Sequence, residues 1–347
     1  MDRESLFKDH APQRTVRFQT VPQLDELLER LHAILGPAEA EARRKFDRPR
    51  FPTVLLVGGP RTGTTLMLQY LASLGAFCYP SNTLARFSRT PYIAALIERI
   101  LTDPQLDPHG ETSVPEDRIG FSSALGKTVG PRSPNEFNFF WRQFIPSHDP
   151  EFLDPSATKA IDRCGMRAAI AAIESVYGKP FAAKCLMLQY NIPDVFRILP
   201  HALFLYVRRK PLYTAQSILL ARRQYYGRDD LWWSAKPPEY SELKALEPLH
   251  QVAGQVHYTH RAIIRGLRQV PRKNRLVVDY EALCDAPETV YRRISRKCAG
   301  LGHLLPAVYS GPPKFPCTNR WQITPDEMKT LEAAYRRFRA KPGSPQA

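Results

Sequence analysis

The run FPTVLLV at residues 51–57 passes without a break into Gly58-Gly59-Pro60-Arg61-Thr62-Gly63-Thr64-Thr65, and no other feature constrains this chain as tightly. An apolar, β-branched run with no polar alternation fits a strand buried on both faces, as in parallel sheets. Residues 64–74 are then apolar at helical spacing and stop at Gly75. Strand, glycine loop and helix in that order open a nucleotide-binding α/β unit. The remainder agrees with this opening. ALFLYV at residues 202–207 reads as a second buried strand, 181–185 and 275–279 as shorter ones, and helices are expected over 166–176, 212–226, 250–267, 287–298 and 325–338. Such alternation predicts one doubly wound α/β domain over residues 51–340, a central parallel sheet with helices on both faces. Residues 1–50 precede it as a helical extension in which Leu24, Leu27, Leu28, Leu31 and Leu35 share one face. Residues 103–160, rich in Pro, Ser and Asp and without a period, predict an irregular acceptor or lid segment. Residues 341–347 read as a disordered tail.

Charge narrows the choice of partner. With 49 Lys+Arg against 34 Asp+Glu in 347 residues, the net charge is +15, which calls for an anionic partner. Nucleic acid rests on that charge alone, because no basic stripe interleaved with aromatics is legible. Arg222-Arg223, Arg292-Arg293, Arg296 and Lys297 read as solvated helix faces. No stretch approaches the roughly 18–20 apolar residues of a membrane span. MDRESLFKDH lacks the apolar centre of a signal peptide, so a cytoplasmic location is expected, with peripheral membrane contact left open. The six cysteines form no CxxC pair and the nine histidines no ligand spacing, so buried reduced thiols are expected and no metal is inferred.

The loop itself says which anion. Its glycines are spaced as in a phosphate loop, yet Thr64 stands where a lysine would reach the β- and γ-phosphates of ATP. Backbone amides, a helix N-terminus and the Thr64 and Thr65 hydroxyls still suit one phosphate, and Arg61 brings a cation into the loop. A second basic loop follows the second buried strand, where Arg209-Lys210-Pro211 opens a helix and Ser217 lies eight residues beyond Arg209. Two phosphate cradles at the carboxyl ends of two strands suit a nucleotide phosphorylated at both ends.

These motifs carry a family resemblance. PRTGTT at 60–65 is similar to the 5′-phosphosulfate loop of the sulfotransferases that use 3′-phosphoadenosine 5′-phosphosulfate (PAPS), and LYVRRKPLYTAQS at 205–217 to their 3′-phosphate motif. DYEAL at 279–283 resembles the family's late strand end, where the tyrosine, here Tyr280, borders the adenine. Asn319-Arg320-Trp321 resembles the segment that folds over the nucleotide, which makes Arg320 a further candidate. The resemblance covers roughly residues 53–335 and implies a P-loop-like fold, PAPS as co-substrate and an acceptor hydroxyl or amine on a carbohydrate, lipid-linked or small molecule; the surplus positive charge adds an anionic acceptor to the candidates. It also implies that Lys184 lies beside the transferring group. The histidine that many members place two residues later is Leu186 here, so the general base has no motif. Glu136 is the expected base, on the ground that its aromatic neighbours in PNEFNFFW should raise its pKa, with His148 second. Arg61, Lys184 and Glu136 are thus the expected catalytic residues. Arg61, Thr62, Gly63, Thr64, Thr65, Arg209, Ser217, Tyr280 and Arg320 are the expected nucleotide contacts. The alternative is a nucleotide kinase or NTPase with a degenerate loop, which the missing lysine opposes. Trp232-Trp233 and Tyr225-Tyr226 are read as core, and Lys127 as a further candidate beside the ligand.

Overall fold

Four strands carry the architecture: β1 (Val54–Val57), β2 (Ala182–Lys184), β3 (Leu203–Arg208) and β4 (Arg275–Asp279). In this computed structural model, which describes residues 13–19, 21–107, 109 and 119–340, they form one parallel sheet in the order β2-β1-β3-β4. The tail expected at 341–347 lies outside the described residues. Strand alternation decides which side chain faces which layer. Val54 and Leu56 of β1, with Leu203, Leu205 and Val207 of β3, pack on Met67, Leu68 and Leu71 of the helix Thr64–Ser73 and on Val290 and Ile294 of Pro287–Ala299. Leu55, Val57, Phe204 and Tyr206 face the other way, onto Met166, Ile170 and Ile173 of Arg163–Tyr177 and Ile263 and Leu267 of Pro248–Arg268. Every side chain of β1 is therefore 0% exposed, which is why its sequence shows no alternation.

A parallel sheet puts all strand ends on one edge, and the register fixes what meets there. Leu56 pairs with Lys184, Val57 with Tyr206 and Arg208 with Asp279. The glycine loop, Lys184, Arg209 and Tyr280 consequently project from neighbouring strands onto the same rim, where open α/β sheets hold ligands.

The expected helices lie where the periodicity puts them, each within a few residues. Ile192–Ile198, Tyr240–Leu243 and Tyr280–Asp285 were not expected, nor were Asn82–Arg86 and Pro91–Thr102. The N-terminal helix Pro22–Arg43 turns Leu28, His32 and Glu39 inward, and Glu39 accepts the backbone amides of Tyr92 and Ile93 at the start of the last of these. The described part of 103–160 is irregular apart from the short turns Asn138–Trp141 and Pro155–Lys159. Two expectations fail. Arg222 is not on a solvated face: it is 0% exposed, donates to Gln251 Oε1 (2.6 Å) and Gln255 Oε1 (3.4 Å), and lies 5.1 Å from the Trp232 ring centroid. The cysteines are not all buried, since Cys164 and Cys317 are exposed. No helix among the described residues is long and apolar enough to cross a membrane.

Candidate functional site

The glycine loop turns through two left-handed residues, Arg61 (φ 65°) and Gly63 (φ 96°). Only glycine fits the second, because a Cβ there would stand 2.6 Å from Tyr280 Cδ2. Gly63 caps the helix Thr64–Ser73, whose first intrahelical bond runs from Met67 N to Gly63 O. The amides of Thr64, Thr65 and Leu66 therefore have no helical acceptor, and all three residues line a cavity of ≈ 380 Å³ above the sheet edge. Thr62 does not join them: its hydroxyl donates to Gly59 O (2.8 Å) and tightens the turn.

Arg61 and Arg209 converge from the loop and from the end of β3. Arg61 Nε donates to Ser217 Oγ (3.0 Å), and Arg209 donates to Asn319 Oδ1 (2.6 Å), Thr318 O (3.1 Å) and Arg61 O (3.3 Å) while resting 4.9 Å from the Tyr280 ring centroid. These hydrogen-bond partners are all neutral. Burial and the facing Arg209 guanidinium together pull Arg61 below its ordinary pKa. Two half-buried guanidiniums held together on neutral oxygens make a site for an anion. Tyr280 completes this corner, its hydroxyl 3.0 Å from Thr318 Oγ1 and accepting the Thr318 amide (3.1 Å). Arg320 does not enter: its side chain is exposed, and its hydrogen bonds are those of its backbone, the amide donating to Thr318 O (3.0 Å) and the carbonyl accepting from Gln216 Nε2 (2.9 Å). Asn319, its neighbour, holds Arg209 instead.

Lys184, at the end of β2, is 1% exposed and reaches under the loop to donate to Thr65 Oγ1 (2.7 Å) and Glu136 Oε1 (3.0 Å). Burial lowers its pKa, and the Glu136 carboxylate partly restores it. Trp141 Nε1 donates to Lys184 O (2.8 Å), so the Glu136–Trp141 segment is tied directly to β2. The expected reason for choosing Glu136 is reversed. Phe137, Phe140 and Trp141 turn into the core, Phe137 and Phe140 stacked with centroids 4.4 Å apart, while the Glu136 side chain keeps 33% exposure toward the cavity. Burial raises its pKa, but Lys184 and Lys127 outweigh it, so the carboxyl is held below the usual range rather than above it. Gly126 (φ 86°) packs so closely that a Cβ would stand 2.9 Å from Glu136 Oε1. His148 is exposed on the surface, and only its carbonyl is used, by Arg142.

The cavity has further walls that the sequence reading does not name as a site. Phe121 meets Phe315 edge to face (4.9 Å) on one side. Leu125, Leu186, Tyr225, Trp233 and Gln189 also line the cavity, and Asn138 Nδ2 donates to Glu136 Oε2 (3.4 Å). Trp232 and Tyr226 are core, as expected, whereas Trp233 and Tyr225 border the cavity. A tryptophan beside a loop rich in Asp and Ser was the available signal.

A family model described as the sulfotransferase family matches residues 52–301. Comparison with curated proteins returned no match. Similar solved structures include a sulfotransferase of Mycobacterium avium, 17% identical, covering 98% of this chain and 80% of that one with a TM-score of 0.48. A sulfotransferase of Mycobacterium tuberculosis is 15% identical over 90% and 80% of the two chains (TM-score 0.46). One from Alicyclobacillus acidocaldarius is 18% identical over 83% and 93% (TM-score 0.41).

Proposed function

The chain belongs to the sulfotransferase family, and from that premise we propose that it moves the sulfuryl group of PAPS to an acceptor oxygen and releases adenosine 3′,5′-bisphosphate. The observation that carries this reading is the position of Lys184, whose ammonium joins Thr65 of the phosphate loop to Glu136 at the cavity wall. One cation thereby touches both the place of the leaving phosphate and the group able to take the acceptor's proton. The acceptor oxygen forms its bond to sulfur as the bond from sulfur to the bridging 5′-phosphate oxygen breaks. The electron pair leaves with the phosphate, and the acceptor proton passes to Glu136, which is ionised at neutral pH because its pKa is lowered. Charge develops on the bridging oxygen and on the sulfuryl oxygens, within reach of Arg61, Lys184 and the amides of Thr64 and Thr65. Arg209 and Ser217 hold the 3′-phosphate, with Tyr280 beside the adenine. A cytoplasmic enzyme acting with nucleotide and acceptor alone accommodates all of these roles.

Thermal denaturation tests the donor. Adenosine 3′,5′-bisphosphate should stabilise the protein without magnesium, by about 2.7 kcal/mol at one hundred times its Kd. Stabilisation by Mg-ATP and none by the bisphosphate would favour the NTPase alternative and reject PAPS.

A further inference from the structure

Past Lys184 and Glu136 the cavity changes character. Its lining there includes the apolar side chains of Leu125, Pro150, Leu186, Tyr225, Trp233 and Ala235, with Ser234 between the last two. Three contacts show that these belong together. Leu125 and Tyr225 pack on the cluster that contains Trp233, with the Tyr225 and Trp233 rings 6.5 Å apart. The Lys236 amide donates to Pro150 O (2.9 Å), which seats Ala235 beside Pro150. Gly126, next to Leu125, abuts Glu136.

Glu136 and Asn138 meet at the reacting end, and Ser123 and Ser234, close to Leu125 and Trp233 in the chain, bring hydroxyls to this part of the lining. The cation lining this side is Lys127, which is exposed. A separate groove elsewhere gathers five cations, Arg208, Arg268, Arg272, Arg275 and Lys297. Backbone strain points the same way. Among the described residues the non-glycine positions with positive φ are Arg61, Leu125 (49°), Phe137 (59°) and Ser234 (69°). The last three flank Gly126, Glu136 and Trp233, and a β-carbon in that conformation persists only where the surroundings impose it. Leu125 in particular is held in a strained turn that presents an apolar side chain to the cavity.

Resting on the sulfotransferase reading, we infer that the acceptor is an uncharged, largely apolar alcohol or phenol. Its body lies against Leu125, Leu186, Tyr225 and Trp233, and its hydroxyl reaches Glu136. An anionic polysaccharide finds no counter-charge along this wall beyond Lys127 and would leave its own polar groups unpaired against leucine and tryptophan.

The test uses the full chain with 2-naphthol, galactose and chondroitin as probes, reading release of adenosine 3′,5′-bisphosphate from PAPS. Calorimetry measures 2-naphthol binding separately, in the presence of the bisphosphate. The expected result is a kcat/KM for 2-naphthol at least about tenfold above either saccharide. Leu125→Asn suits a left-handed backbone and removes the apolar contact, so it should raise the 2-naphthol KM roughly tenfold with bisphosphate affinity retained. Leu186→Gln serves as the second variant with the same expected effect. Preference for galactose or chondroitin, or an unaltered KM in both variants, overturns the assignment. If the bisphosphate binds and 2-naphthol does not, the acceptor class is wrong and the sulfotransferase reading stands. If 2-naphthol binds and the bisphosphate does not, the apolar pocket stands and the donor reading fails.

Discussion

Replacing Gly63 with alanine probes the join between the phosphate loop and the adenine corner. Two penalties arise. The backbone at φ 96° strains any residue with a β-carbon, by about 1 kcal/mol for alanine. The new methyl would also stand 2.6 Å from Tyr280 Cδ2, about 0.8 Å inside ordinary contact, so the ring must withdraw. The two hydrogen bonds of the Tyr280 hydroxyl with Thr318 depend on the ring position and are worth about 1 kcal/mol each. Gly63→Ala should thus cost about 3 kcal/mol in urea denaturation. It should also raise the Kd for adenosine 3′,5′-bisphosphate roughly tenfold, because Arg209 loses its aromatic support 4.9 Å away. A double-mutant cycle separates the terms. In a Tyr280→Ala background only the strain of about 1 kcal/mol remains, leaving a coupling of about 2 kcal/mol. An equal cost in both backgrounds, or no cost in either, refutes the close-approach argument.

The other predictions concern single side chains. Lys184→Met removes a buried charge whose desolvation opposes its ion pair, so stability should change by less than about 1.5 kcal/mol while turnover falls roughly a hundredfold. Because Lys184 is the largest of the partners that lower the Glu136 pKa, the acid limb of the residual activity should move to higher pH, and an unmoved limb would detach Glu136 from the proton transfer. Arg209→Ala and Ser217→Ala should weaken bisphosphate binding in calorimetry and leave the acceptor KM alone. Glu174, whose Oε2 accepts the Arg50 and Phe51 amides, has its pKa raised by burial from 4.5 to about 7. Its contribution is fully favourable below pH 4.5 and is lost as pH rises through 7, so Glu174→Gln should match the parent at pH 4 and exceed it by about 3 kcal/mol at pH 8. The opposite slope would show that the carboxylate is welcome there. Arg222→Ala strands the Gln251 and Gln255 carbonyls and should cost about 3–5 kcal/mol in denaturation with bisphosphate affinity intact.

How far the sequence reaches depends on the range of the physics involved. The sheet and its phosphate loop are legible because burial on both faces writes a continuous apolar run at 51–57, and because a turn through Gly63 tolerates no other residue. Arg209 and Ser217 are likewise a local pattern, a strand end and the helix after it. Glu136 could be suspected from its aromatic neighbours, but Lys184, 48 residues away, and Lys127 lower its pKa against its burial, and the aromatic run shows neither cation. Charge misleads at Arg320, where proximity to the motif suggests a nucleotide contact, whereas its side chain is exposed and its neighbour Asn319 holds Arg209. Arg222 reads as exposed because nothing on its own helix receives it. The signal lay elsewhere: Gln251 and Gln255, four residues apart, present two carbonyls on one face of a neighbouring helix. The apolar wall of the cavity was illegible because its members come from segments as far apart as Leu125, Leu186 and Trp233.

The complete burial of β1 also bears on how binding is felt by the rest of the molecule. A loop growing from a strand that is paired on both edges and packed on both faces cannot loosen by itself. In amide hydrogen exchange, Leu55 and Leu56 should therefore belong to the unit that opens last, exchanging only when the entire domain does. A nucleotide seated on that loop therefore slows their exchange by the same factor by which it favours the folded state as a whole. The ligand acts on the global equilibrium rather than on a local latch.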